Sequence, residues 1–422
     1  MNYFKYKLEN GLRIIVIPMK DNPTVTVSVL VETGSKYENK QNNGISHFLE
    51  HMCFKGTIVR PTAHIIASEL DGLGSSYNAF TSNEYTGYYA KSDAKHFEKI
   101  FDIISDIYLN STFPEKEIEK EKGVIVEEIN MYEDMPARHV QDLFMNLLYG
   151  DQPAGWNIAG TRENVRNTKR SDFVDYKKTQ YIPRRTTVIV SGKVKEGQVL
   201  KVVRDIFGGI KNTKHLAMPK VVEQQRKPEV LVSYKKTDQT HIVLGVRTFD
   251  IFNKRNPILT VLSTILAGGM SSRLFIKLRE ELGVTYYVRA YNDTYTDHGF
   301  LEVSAGVSND RVKEVVTEIL KECKKLCGTP VSKQELDKVK EYLVGNMKLE
   351  LESSSDFATF YGSQEVMNLK IKKPEEVERL IRKVTAKDIQ SMAKTIFTNK
   401  GLNLALIGPF EDKKDFEKIL KF

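Results

Sequence analysis

Residues 47–57 of this chain read HFLEHMCFKGT, and the interpretation of the whole sequence starts from this stretch. Two histidines four positions apart, His47 and His51, flank the acid Glu50. At about 100° per residue, a helix places these three side chains within about 100° of one another. Apolar residues fill the opposite sector: Ile45, Phe48, Leu49, Met52 and Cys53. The stretch therefore predicts a helix that packs on a core with one face and presents two imidazoles and a carboxylate with the other.

This donor set is suited to zinc hydrolysis. Histidines at positions i and i+4 of a helix bind one ion together, and a carboxylate beside them that is not a ligand takes a proton from water. The order H-x-x-E-H is the inverzincin signature. We therefore predict His47 and His51 as zinc ligands and Glu50 as the general base. The alternative, an exposed helix with two unrelated histidines, is disfavoured because the 422 residues contain only eight histidines.

A catalytic zinc site needs a third protein ligand. The helix predicted for residues 115–132 offers Glu127 and Glu128. Residues seven apart share a helix face. Lys120 stands seven positions before Glu127 and would repel the ion, whereas Glu121 stands seven positions before Glu128. A second carboxylate orients a ligand or hydrogen-bonds a ligating histidine, so we predict Glu128 as the third ligand of one zinc ion per chain and Glu121 as its supporting acid.

Composition indicates a globular chain of two or three domains, with 41% apolar and 28% charged residues. No apolar run approaches the roughly 18 to 20 residues of a membrane span. The net charge of +8 is spread along the chain without a basic stripe, which argues against a nucleic-acid partner. Three cysteines make no disulfide framework, and strand-like sequence begins close to Met1, so we expect a cytoplasmic protein without a signal peptide.

The two halves of the chain repeat each other. Residues 172–192 are typical of a helix, a short loop and a strand, and an offset of 216 carries them onto like residues at 388–408. The same offset carries three isoleucines at helical spacing, positions 100, 103 and 104, onto apolar residues. Each half begins with strands and continues with helices, which predicts two duplicated α+β domains of two layers each.

The domain boundaries are placed by composition. A stretch rich in Lys, Gln and Pro without periodicity, residues 212–228, is predicted as a linker. The N-terminal domain, 1–211, would carry the zinc site. The C-terminal domain, 229–422, has no second H-x-x-E-H motif, so one active site per chain is expected.

The chain resembles the pitrilysin-type metallopeptidases, a family that includes mitochondrial processing peptidase and insulin-degrading enzyme. The likeness runs essentially end to end. HFLEHMCFKGT is similar to the family's zinc helix and the turn after it, and Glu128 with Glu121 is similar to its distal ligand and supporting acid. The resemblance implies that the two α+β halves form half of a clamshell chamber, which a homodimer or a heterodimer with a related chain would complete.

The resemblance also implies substrate contacts. Four residues are similar to the family's edge strand, to which a peptide adds as a further strand: Asn78, Ala79, Phe80 and Thr81. An ordinary interior strand is the alternative. Arg279 and Tyr286 are seven apart, as in the family, and would hold the scissile carbonyl or the oxyanion formed on it. The alternative for them is a surface arginine and a packing tyrosine, and Tyr287 competes with Tyr286.

The leading hypothesis is a zinc-dependent endopeptidase that cleaves peptides or unfolded segments inside a chamber. Glu50 would take a proton from the attacking water and deliver it to the leaving amine. The alternative is a non-catalytic partner or scaffold subunit of the same fold, which the complete motif disfavours. The sequence leaves open whether the enzyme degrades peptides generally or processes one narrow substrate.

Overall fold

The structure, a computed structural model, describes residues 2–422, which form eleven strands and sixteen α-helices. The strands are β1 (Phe4–Lys7), β2 (Arg13–Pro18), β3 (Thr24–Val31), β4 (Ser76–Thr81), β5 (Thr86–Asp93), β6 (Thr186–Gly192), β7 (Glu229–Tyr234), β8 (Gln239–Arg247), β9 (Thr285–Thr294), β10 (Gly299–Ser308) and β11 (Asn403–Gly408). The helices are α1 (Ile45–Cys53), α2 (Ala63–Gly72), α3 (Phe97–Leu109), α4 (Glu115–Asp134), α5 (Pro136–Tyr149), α6 (Arg162–Asn167), α7 (Arg170–Gln180), α8 (Glu196–Phe207), α9 (Asn256–Ala267), α10 (Arg273–Phe275), α11 (Val312–Gly328), α12 (Lys333–Glu350), α13 (Ser354–Val366), α14 (Pro374–Lys383), α15 (Ala386–Ile396) and α16 (Lys414–Ile419). Helix α10 continues into a π-helical turn, Ile276–Glu281.

Two compact units divide the chain, and neither is continuous in sequence. The first unit comprises residues 2–130, 157–219 and 350–371; the second comprises residues 131–156, 220–349 and 372–422. The predicted domains, 1–211 and 229–422, are continuous, and the units differ from them by two exchanged segments. Helix α5 of the first half belongs to the second unit, and α13 of the second half belongs to the first. The predicted linker, 212–228, contains no helix or strand and includes the boundary between the units at Pro219.

The two sheets confirm the predicted α+β duplication. The first has the order β1-β2-β6-β3-β5-β4 and the second has the order β7-β11-β8-β10-β9. Apart from β1, each strand of the first sheet has a counterpart at the same place in the second. The pairs β2–β6 and β7–β11 are parallel, and the other pairs are antiparallel. Strands β2 and β7 begin at Arg13 and Glu229, which reproduces the offset of 216.

One face of the first sheet carries the core of its unit. Val27 and Val29 of β3 are fully buried there, together with apolar residues of α1, α3 and α4. Among them are all five residues predicted for the packed face of α1: Ile45, Phe48, Leu49, Met52 and Cys53. Helix α1 is therefore held against the sheet by the apolar sector that the sequence pattern indicated.

The other face of this sheet is covered too, so the expectation of two layers was wrong. Helix α13 packs on β3 and β6. The hydroxyl of Thr26 on this face lies 2.8 Å from that of Ser354, and both are buried. Gly362 lets α13 approach closely, since an added Cβ would lie 3.1 Å from Leu30 Cδ1. Alternating valine and hydroxyl residues in β3 suggest one exposed face, but here hydroxyl pairs satisfy the polar groups of a buried one.

The second unit repeats this arrangement. Helix α5 packs on β8 and β11, where Phe144 and Leu148 are buried together with Val243 and Ala405 of the sheet. Each unit therefore completes its second helical layer with a helix from the opposite half of the sequence. None of the helices in residues 2–422 combines the length and the apolar character needed to cross a lipid bilayer.

Candidate metal centre

Helix α1 is anchored at its N-terminus by a buried acid. Gly44, which precedes the helix, has φ = 100°, and an added Cβ there would lie 2.6 Å from Ala159 O, so the position favours glycine. Glu38 accepts hydrogen bonds from the backbone N–H of Gly44 (2.7 Å) and of Ser46 (2.8 Å). A carboxylate at this end satisfies free amides and complements the helix dipole. These contacts fix the N-terminus of α1 and therefore the position from which its side chains extend.

His47, His51 and Glu128 come together in the first unit, and all three side chains are partly buried. Nε2 of His47 and Nε2 of His51 each lie 3.7 Å from Oε2 of Glu128, and the two imidazole centroids are 4.5 Å apart. Helix α1 supplies the histidines and helix α4 the acid. Glu127 is exposed and is within hydrogen-bond distance of Asn130, 3.4 Å away. Of the two adjacent acids, Glu128 is the one that meets the histidines.

The three donor atoms fit a tetrahedral zinc ion. Bonds of about 2.1 Å at tetrahedral angles separate neighbouring ligand atoms by about 3.4 Å. The observed separations of 3.7 Å from Glu128 are close to this value and too long for hydrogen bonds. Burial, with a smaller contribution from His51, lowers the pKa of His47 to about 3, so its imidazole is neutral and keeps a lone pair for a metal. Two imidazole nitrogens and one carboxylate leave a fourth position open, as catalytic zinc sites do.

Glu121 supports the second histidine. Its Oε1 lies 2.9 Å from His51 Nδ1, and its Oε2 lies 2.6 Å from the Nζ of Lys55. Because a carboxylate accepts a hydrogen bond, this contact places the ring proton of His51 on Nδ1 and leaves Nε2 free to bind a metal. Burial lowers the pKa of His51, but the hydrogen bond to Glu121 and the nearby carboxylates outweigh it and raise that pKa overall. For Glu121 itself, burial raises the pKa, and the contacts with His51 and Lys55 outweigh it, so the pKa is lowered.

Glu50 lies beside the histidines and is buried. Burial raises the pKa of its carboxyl group, and a hydrogen bond from Thr81 partly offsets this effect. Thr81 Oγ1 donates to Glu50 Oε2 at 2.5 Å. Such an environment brings a carboxyl group closer to the neutral pKa that suits a general base.

The predicted substrate strand is β4, which contains Asn78, Ala79, Phe80 and Thr81. Strand β4 stands last in the order of its sheet and, among the described residues, pairs only with β5. Its side chains alternate in exposure, and Thr81 is its final residue. The interior-strand alternative is therefore wrong, and the open edge of β4 ends at the residue that contacts Glu50.

Arg279 and Tyr286 lie in the second unit and contact each other. Arg279, in the π-helical turn, donates through Nη1 to the carbonyl oxygen of Tyr286, and its guanidinium lies 5.6 Å from the centre of the Tyr286 ring. Tyr286 is 73% exposed. The competitor Tyr287 is occupied, because its hydroxyl lies 3.0 Å from His241 Nδ1. The predicted contact of Arg279 and Tyr286 with a substrate remains a prediction.

Three features of the centre were missed from the sequence. Lys55 stands four positions after His51, one helical turn on, and this spacing was the available signal for a shared partner. Glu38 lies six residues before Gly44, and the helix dipole favours an acid near a helix N-terminus, although this distance in sequence is too long for the usual cap. The contact between Thr81 and Glu50 joins residues 31 apart on different elements, and no spacing rule indicates it.

Known proteins share the sequence pattern and the fold of this chain. A family described as "Insulinase (Peptidase family M16)" matches residues 13–162, and one described as "Peptidase M16 inactive domain" matches residues 167–343. A Bacillus subtilis protein named as an uncharacterized zinc protease is 35% identical over 409 residues, covering 96% of this chain and 98% of the relative. The chain belongs to peptidase family M16. The predicted resemblance to the pitrilysin-type metallopeptidases is therefore confirmed.

Two further proteins align over nearly the whole chain. A Mycobacterium leprae protein, also named as an uncharacterized zinc protease, is 32% identical and covers 98% of this chain and 93% of its own length. A protease from Helicobacter pylori, known from its crystal structure, has the same fold, with a TM-score of 0.91 at 24% identity over 97% of this chain and 99% of that one. Relatives that are named zinc proteases and align over nearly their whole length support a metallopeptidase with zinc as its metal.

Proposed function

We propose that the chain is a zinc-dependent endopeptidase whose metal is held by His47, His51 and Glu128, with one ion per chain. The convergence of Nε2, Nε2 and Oε2 from these three residues carries the proposal. Their separations fit zinc bonds, and the arrangement leaves a position for water or substrate. Membership of the M16 family, with relatives named zinc proteases, supports the same conclusion.

Residues of this chain have separate roles in peptide hydrolysis. Zinc bound at this position supplies Lewis acidity toward water and the peptide carbonyl. Glu50, buried beside the histidines, takes the proton from the attacking water and passes it to the leaving amine. Thr81 orients the Glu50 carboxylate, and Glu121 fixes the ring of His51 through Nδ1. Each of these groups is held by a hydrogen bond before a substrate arrives, which reduces reorganisation during the reaction.

Substrate is proposed to bind along the edge of β4. The free backbone groups of an edge strand pair with an extended peptide, so affinity comes from main-chain hydrogen bonds and many sequences are accepted. Asn78, Ala79 and Phe80 would provide these contacts, and Thr81 would mark the point where the peptide meets the base. Arg279 and Tyr286 of the inactive repeat would hold the scissile carbonyl or its oxyanion, inside a chamber completed by a second copy of the chain or a related one.

The Glu50→Gln variant tests the chemistry. Glutamine keeps the shape of the side chain and cannot accept the proton, so we expect zinc content near that of the wild type and loss of peptide cleavage by a factor of about 10² to 10⁴. Cleavage of a mixed peptide pool, followed by mass spectrometry, measures the activity, and elemental analysis measures the metal. Full cleavage by Glu50→Gln would remove Glu50 from the mechanism.

Two controls separate this proposal from the scaffold alternative. Glu127→Gln changes an exposed acid next to the proposed ligand and should leave both zinc content and cleavage unchanged. A chelator should abolish cleavage by the wild type, and zinc should restore it. A wild-type protein that binds zinc and cleaves no peptide in the pool would instead favour a non-catalytic subunit.

A further inference from the structure

Glu121 binds two partners at once. Its Oε1 lies 2.9 Å from His51 Nδ1, and its Oε2 lies 2.6 Å from Lys55 Nζ. His51 and Lys55 are one helical turn apart: α1 ends at Cys53, and the N–H of Lys55 still bonds the carbonyl oxygen of Met52 at 3.2 Å. The carboxylate is therefore fixed by contacts on both oxygens and cannot rotate without breaking one of them.

Lys55 is placed to influence the metal centre through Glu121 rather than through a direct contact with the metal ligands. Its side chain is 25% exposed, whereas that of Glu121 is 6% exposed, so the ammonium group covers the outer oxygen of a buried acid. A carboxylate with one free oxygen can turn toward another donor or toward the ion itself. A carboxylate held at both ends keeps its first oxygen on the imidazole and so keeps the ring orientation.

We propose that Lys55 is a positioning residue of the zinc site, which acts by holding Glu121 on His51. The inference rests on the proposed function, because it assumes that His51 binds zinc through Nε2. It assigns to Lys55 a role in metal affinity that acts through two intervening groups. The proposal predicts weaker zinc binding when the charge of Lys55 is removed. Simple electrostatics predicts the opposite, because removal of a nearby positive charge should by itself strengthen the binding of a cation.

The experiment compares Lys55→Met, Lys55→Arg and Lys120→Met with the wild type. Methionine keeps much of the length of lysine without the charge, and arginine keeps a cationic donor. Lys120 is the matched control, because it is an exposed lysine on α4 whose ion pair, 2.6 Å long, is with Glu117 rather than with Glu121. Zinc dissociation constants are measured in chelator-buffered zinc, and thermal melts of the metal-free proteins test folding.

We expect zinc binding to weaken about 10-fold in Lys55→Met, at the lower end of the range for groups that support a metal ligand. Lys55→Arg should restore most of this loss, and Lys120→Met should match the wild type. In the metal-free protein, ring-nitrogen NMR assigned by comparison with His51→Gln should show a reduced Nδ1–H population for His51 in Lys55→Met. A merely structural role would move the melting temperature and leave this tautomer unchanged.

The outcomes separate the two proposals. Unchanged or tighter zinc binding by a folded Lys55→Met, with an unchanged His51 tautomer, would overturn the positioning role and leave the peptidase assignment intact. Failure of the wild type itself to bind zinc would overturn the metal site and this inference together. Weakening in Lys55→Met that arginine does not restore would also refute the role, because it would trace the effect to packing rather than to the ion pair.

Discussion

Substitution of Thr81 by valine separates two roles for the last residue of β4, namely positioning of the base Glu50 and binding of the substrate. Valine has nearly the shape of threonine and lacks the hydroxyl that donates to Glu50 at 2.5 Å. A hydrogen bond to a charged group contributes about 1.5 to 3 kcal/mol. At about 1.4 kcal/mol per factor of ten, kcat should fall roughly 10- to 150-fold if the bond acts fully in the transition state. KM should change little, because the backbone edge of β4 remains.

The assay is steady-state cleavage of a fluorogenic peptide, with zinc content measured on the same samples. Thr81→Ser keeps a hydroxyl and should retain most of the wild-type kcat, which controls for disturbance of the strand. The Thr81 bond also lowers the pKa of Glu50 against the effect of burial, so its loss should move the acid limb of the kcat profile to higher pH. A kcat within twofold of the wild type, with the whole effect in KM, would refute base positioning and favour a role in substrate binding.

Further changes test the ligand set and the support of α1. Glu128→Gln should weaken zinc binding by more than about 100-fold, since even supporting groups cost about 10- to 100-fold; binding is titrated beside Glu127→Gln, and equal affinities would exclude Glu128 as a ligand. Burial raises the pKa of Glu38 from 4.5 to about 7. Between these two pH values, the folded protein keeps the proton on Glu38, whereas the unfolded chain has released it. The contribution of protonated Glu38 to the free energy of unfolding is complete below about pH 4.5 and is lost as pH rises through about 7. The free energy of unfolding changes by about 3 kcal/mol over this range. Glu38→Gln should flatten this decline in thermal melts at pH 5 and pH 8, and melts that stay parallel to the wild type would refute the shift.

The sequence predicted the parts of the fold and site that depend on local periodicity. His47, Glu50 and His51 share a face because the helix repeat places them there, and Glu121 and Glu128 share one for the same reason. Strand β3 and helix α3 were visible as alternating and helical apolar patterns. Such patterns show which side of an element is buried, and they were sufficient to identify α+β halves and their duplication.

Local patterns do not show which sheet an element packs on. Helix α5 is amphipathic, whereas the buried residues of α13 include Ser354, Gly362 and Glu365, and nothing in the sequence of α13 assigns it to the first unit. The pairing of Thr26 with Ser354 joins residues 328 apart, and the bond from Thr81 to Glu50 joins a strand end to a helix. Both contacts depend on tertiary packing, so only the structure could provide them.

The duplication also shows that the fold does not require the metal site. Helix α9 follows β8 as α1 follows β3, and these two strands occupy the same place in their sheets. The sequence of α9, NPILTVLSTILA, contains no histidine or acid, and eight of its twelve residues are buried. The same architecture is thus stable with an apolar helix at this position. In α1, by contrast, a buried acid and two imidazoles are kept beside two more carboxylates, an arrangement that costs stability unless a cation compensates it. The groups of α1 are therefore best explained by chemistry rather than by folding, which is why removing the zinc ligands should damage activity far more than the fold.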